Sequence, residues 1–150
     1  MGLDMYLTKK TYVKNWDHEG PDARHTVTVT GPSASHIRPE RISSIEEEVA
    51  YWRKANAIHQ WFVDHCQNGI DECQQTYVGR EKLLQLKALC EAVLTNRRDA
   101  PKLLPTASGF FFGSTDYDQY YFEDLESTLE IIDRCLALPT SWDFEYRSSW

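Results

Sequence analysis

Strict alternation at both ends of the chain limits its fold more than any other feature. Leu3, Met5 and Leu7 alternate with Asp4, Tyr6 and Thr8, and Trp142, Phe144 and Tyr146 alternate with Asp143, Glu145 and Arg147. A period of two turns every second side chain to one face, so both stretches predict half-buried strands. Read as edge strands, they pair with each other or pair across a homodimer. HTVTVT, 25–30, alternates as well and is rich in β-branched residues. It predicts a further strand antiparallel to the first, stopped by Gly31-Pro32. Tyr77-Val78 predicts a short strand, and Phe110 to Phe112 a short buried strand or extended turn.

Three stretches between these carry helical spacing. Ser44-Ile45-Glu46-Glu47 has the form of a capping box, and it predicts a long helix running to about Cys66. Its inward stripe is Ile45, Val49, Trp52, His59, Phe62, Val63 and Cys66, closed by Gln67-Asn68-Gly69. A second helix is expected from about Arg80 to Asn96, with Leu83, Leu86, Cys90, Val93 and Leu94 inward. Residues 97–105 read as a loop with two prolines. A third helix, capped by Asp116 or Asp118, is expected to reach about Leu136, before Pro139. Its stripe is Tyr121, Leu125, Leu129, Ile132 and Cys135 or Leu136. The order predicts one α+β domain over residues 1–150: a small, mainly antiparallel sheet with about three helices packed on one face.

A chain of 150 residues buries about 68–70% of its unfolded surface and needs no metal or disulfide to fold. A net charge of −7 argues against direct nucleic-acid binding, which needs a basic face. An acidic surface suits a basic protein partner instead. Cys66, Cys73, Cys90 and Cys135 are scattered, no secretory h-region follows Met1, and no apolar run approaches the ~20 residues of a membrane span. The expectation is a cytoplasmic protein with free thiols and no membrane contact. Met1-Gly2 does not continue as a lipidation signal, because Tyr6 stands where Ser or Thr is needed.

Two constellations are candidates for a site. The first is Trp52, Arg53, Asn56 and His59 on the expected long helix. A polar pair on an apolar stripe needs partners. Asn56 and His59 therefore either form a core hydrogen-bond network or line a pocket, with Arg53 or Lys54 at its rim. The second is the segment SGFFFGSTDYDQYY. Gly109 and Gly113 bracket three phenylalanines, of which Phe111 is the middle one. The segment then delivers Ser114 and Thr115 to a helix start that attracts anions. Tyr117 and Tyr120 offer stacking faces. The competing reading is core plus ordinary capping, and the aspartates there compete with an anion. No cofactor is implied. His59, His65, Cys66 and Cys73 lack the spacing of a helical zinc site. No catalytic spacing is present either, so an enzyme is not favoured; the enzymatic alternative is a small hydrolase pairing His59 with Asp64 or Asp116.

MGLDMYL-x-K-x-TYV, WRKAN-x-I-H-x-WFV and GFFFGSTDYDQYYFEDL resemble a group of small proteins met in bacteriophages, prophages and bacterial genomes. The resemblance covers most of the chain outside 15–43 and 97–105. It implies a phage-associated accessory role, of the kind that serves host takeover or defence evasion, and it carries over no catalytic residues. The first functional expectation is non-catalytic binding of a small anionic or nucleotide-like ligand. The second is an acidic inhibitor or adaptor that docks a basic host protein.

Overall fold

The computed structural model describes residues 2–150; Met1, where the Met1-Gly2 reading begins, lies outside them. Both ends of the chain form strands, as their alternation requires: β1, Asp4–Tyr12, and β4, Asp143–Ser149. They pair antiparallel with each other, Leu7 opposite Tyr146. They are the two central strands of the sheet rather than its edges. β2, Ser44–Arg53, flanks β1, and β3, Thr76–Val78, flanks β4, giving the antiparallel order β2-β1-β4-β3.

Three longer helices cover one face of this sheet: α1, Asn56–Cys66; α2, Arg80–Thr95; and, after the single turn α3, Ala100–Leu103, the long α4, Gln119–Leu136. The fold is the expected small α+β arrangement. Leu3, Met5, Leu7, Trp52, Phe144 and Tyr146 face inward from the sheet. Phe62, Leu83, Leu86, Leu125 and Ile132 meet them from the helices. Each fully buried side chain of this kind contributes about 1.5–3 kcal/mol.

Three expectations fail for physical reasons. The helix expected from Ser44 begins only at Asn56, and residues 44–53 are strand. The cause is a bulge. Leu7 pairs with Ala50, yet Thr8 pairs with Glu48, so Val49 is an extra residue. Ile45, Glu47, Ala50 and Trp52 share the inner face across that bulge. The phase slip makes a period-two pattern imitate helical spacing. Second, HTVTVT forms no strand. Only Val27 and Val29 are partly covered, and both sides of β1 are already occupied. The segment 14–43 instead carries three short 3₁₀ turns, held in part by reciprocal bonds between Asn15 and His25. Third, residues 97–105 contain a 3₁₀ turn and α3 rather than a plain loop. No helix is long and apolar enough to cross a membrane among the described residues.

Candidate functional site

The abrupt change from β2 to α1 builds one wall of a cleft. Lys54 turns the chain with φ +58°, a left-handed conformation unusual for a residue with a side chain. The turn is fixed by Lys54 N donating to Leu3 O at 2.8 Å and Asn56 N donating to Lys54 O at 2.9 Å. No side chain caps α1. The N–H groups of Ala57 and Ile58, in its first turn, therefore lack intrahelical acceptors where these residues line the cleft.

The opposite wall is the loop before α4 and the first turns of α4. Asn56 fastens that loop. Its Nδ2 donates to Phe112 O at 3.0 Å and Ser114 O at 2.9 Å, and its Oδ1 accepts from Ala107 N at 3.1 Å. Thr106 adds a bond from its backbone N to the Tyr117 hydroxyl and one from Oγ1 to Thr115 O. Asp118 caps α4 by accepting from Tyr121 N. Tyr120 and Asp124 then stand one turn apart on the cleft side, above a floor of Tyr121 and Leu125. The cleft is open to solvent and has a volume of about 330 Å³.

Charge is divided between the walls. Arg53 and Lys54 stand on one side, Asp116, Asp118 and Asp124 on the other. Among the described residues, ion pairs join Lys9 to Glu47, and Lys87 to Glu91 and Asp133, and a hydrogen bond joins His59 to Asp71. None of the cleft charges takes part. Burial, with Glu123 and Asp118 nearby, pushes the Asp124 carboxyl up to about 6.

Of the ten residues singled out from sequence, Arg53, Asn56, Ser114 and Tyr120 line this cleft. The other six lie behind or beside it. Trp52 is a strand residue whose Nε1 donates to Thr128 Oγ1 at 3.0 Å inside the core. His59 is fully buried between the Tyr146 hydroxyl, 2.7 Å from Nδ1, and Asp71 Oδ2, 2.8 Å from Nε2. Its carboxylate partner is thus Asp71. Asp64 is occupied by Gln60, and Asp116 lines the cleft. Gly109 leaves room for Phe112, whose ring a Cβ there would meet at 2.4 Å. Phe111 takes φ +64° in a tight turn, not a strand, and of the three phenylalanines only Phe112 is buried. Thr115 and Tyr117 brace the loop. The anion-attracting helix start also changes place: α4 is capped by Asp118, whereas α1 is uncapped. Asp124, read from the sequence only as one of the acids that favour the helix start, lines the cleft one turn beyond Tyr120.

Among the described residues no group of three or more His, Cys, Asp or Glu side chains is placed to hold a metal ion. Compared with protein-family models, curated proteins and solved structures, the chain matches none.

Proposed function

We propose that this protein is a non-catalytic binding protein for a small anionic, nucleotide-like ligand, in a phage-type accessory role. The observation that carries the reading is a convergence at one end of the cleft. The uncapped first turn of α1 and the Arg53 and Lys54 side chains, free of ion pairs among the described residues, meet there. Backbone N–H groups at a helix start and adjacent cations suit a phosphate. Tyr120, largely exposed, provides a flat face for a ring. Asn56, in the wall, and His59, behind it, have their polar atoms already partnered.

The test is a thermal-shift series with mononucleotides and inorganic phosphate. A ligand at ~100 times its dissociation constant adds about 2.7 kcal/mol of stability. An unchanged unfolding temperature with every nucleotide sinks the proposal. A second reading, docking to a basic host protein, is favoured by the solvent face of α4, where Glu123, Glu126, Glu130 and Asp133 are exposed. It predicts a complex that weakens steeply above ~0.15 M salt.

A further inference from the structure

The cleft is charged at both ends, and a simple anion answers only one of them. Two cations on the Arg53–Lys54 wall face three carboxylates on the other. A bare phosphate gains at the first wall and is repelled by the second. A ligand that fills the cleft must therefore carry hydrogen-bond donors at its far end.

Asp124 is placed to meet them. Asp118 already spends an oxygen on the α4 cap. Asp116 precedes the helix, on the loop. Asp124 alone of the three stands one turn beyond Tyr120, and residues four apart on a helix are neighbours on its surface, about 5–6 Å between Cβ atoms. A ring lying on Tyr120 thus has its edge beside the Asp124 carboxylate, above Tyr121 and Leu125. A carboxylate is an acceptor pair. Guanine offers two adjacent donors, N1–H and the 2-amino group. Adenine and cytosine each set one donor beside an acceptor, and uracil sets one donor between two acceptors. Only guanine answers both oxygens without placing a lone pair against them.

We propose that the cleft selects guanine mononucleotides: Asp124 accepts N1–H and the 2-amino group, Tyr120 stacks on the ring, and Arg53, Lys54 and the α1 start hold the phosphate. This rests on the cleft being the ligand site, and the experiment separates the two claims. Binding of GMP, IMP, XMP, AMP and inorganic phosphate to the full chain is measured by calorimetry at pH 7.5. IMP, which lacks the 2-amino group, should bind at least about tenfold more weakly than GMP, and AMP weaker still. Asp124→Asn presents one acceptor and one donor. It should lower GMP affinity about tenfold or more and raise that for XMP, whose C2 oxygen accepts from the new amide, with phosphate bound no more weakly than before. Tyr120→Ala should weaken all the nucleotides and leave the GMP-to-IMP ratio in place. Mononucleotides binding within twofold of one another, or a GMP-to-IMP ratio unmoved by Asp124→Asn, overturns base selection while leaving the anion site standing. Failure of phosphate and of every nucleotide to bind overturns both.

Discussion

The Tyr146 hydroxyl lies 2.7 Å from Nδ1 of His59, and both residues are completely buried. Burial drives the Tyr146 phenol well above its ordinary value, with the Asp71 charge adding to the effect. The phenol therefore keeps its proton, and against a neutral imidazole it donates that proton to Nδ1. Nε2 must then carry the imidazole proton and donate to Asp71 Oδ2 at 2.8 Å. Trp150 Nε1 closes the chain by donating to Asp71 Oδ1 at 3.1 Å. The network ties β4, α1, the 67–75 connector and the C-terminal residue together.

Tyr146→Phe keeps the ring and removes the donor, leaving Nδ1 buried and unpartnered. The expected cost is about 1–3 kcal/mol, read as a lowered urea midpoint with an unchanged slope. Asp71→Asn retains an acceptor for Nε2 and should cost less. Equal losses for the two would contradict a phenol that donates to Nδ1. The raised Tyr146 value also has a sign. Folded and unfolded states both hold the proton below pH ~10. Above it only the unfolded state releases it, so this contribution is lost as pH rises.

Asn56 makes three bonds to the 106–114 segment with one side chain. Asn56→Asp removes both donors and sets a charge against the carbonyls of Phe112 and Ser114. It should destabilise the protein by about 1–3 kcal/mol. Hydrogen exchange should rise in the loop before α4 while α2 stays protected. Uniform loss of protection across the molecule would contradict the assignment of Asn56 as a local fastener.

Legibility followed the agreement between local and global signals. α2 was readable from its stripe, with Leu83, Leu86, Cys90 and Val93 all buried, and α4 from a stripe joined to a cap, Asp118. Gly69, at φ +75°, stops the chain after α1, its N–H bonded to Val63 O. β2 was not readable because Glu46, Glu47 and Glu48 favour helix, and the Val49 bulge hides the alternation. Pairing with β1 overrides both. At the site, Arg53, Asn56, Ser114 and Tyr120 were found by residue type. The cleft itself depends on two segments more than 50 residues apart, a proximity no spacing rule reports. Reading Asn56 and His59 as one helical stripe with Trp52 treated them alike; the strand-to-helix break leaves Asn56 in the cleft wall and seals His59 against Tyr146 and Asp71.

Lys54 and Gly113 face each other across the strained turn. A Cβ on Gly113, itself at φ +85°, would come within 3.1 Å of the Lys54 Cβ. Gly113→Ala should therefore destabilise by about 1–2 kcal/mol and displace Lys54. Lys54→Gly acts in the opposite direction on stability. Relief of the left-handed conformation should outweigh the added chain entropy by roughly 0.5 kcal/mol. The same change should weaken nucleotide and phosphate binding, because one of the two cations is gone. A variant with lower stability and unchanged affinity would show that Lys54 is neither strained nor in the site.

Asp124 links the site to pH. Its carboxyl is pushed up to about 6 by burial, then by Glu123 and Asp118, against an unfolded value near 3.9. A raised folded value means that the folded state binds the proton more tightly. The stabilisation is fully present below pH ~4 and is lost as pH rises through about 6, so at pH 7 the ionised group weighs against the fold. Asp124 is partly open to solvent, which reduces the effect to on the order of 1 kcal/mol. Asp124→Asn should raise stability at pH 7 by that amount and change it little at pH 4. The difference between variant and parent, measured by urea unfolding from pH 4 to 8, should grow between pH 4 and 6 and then level off. A difference that does not change with pH would place the Asp124 carboxyl in ordinary water contact, outside the cleft wall. Ligand should act against the same cost: when donors or a cation approach the carboxylate, its proton affinity falls, so saturating nucleotide should shift this transition to lower pH.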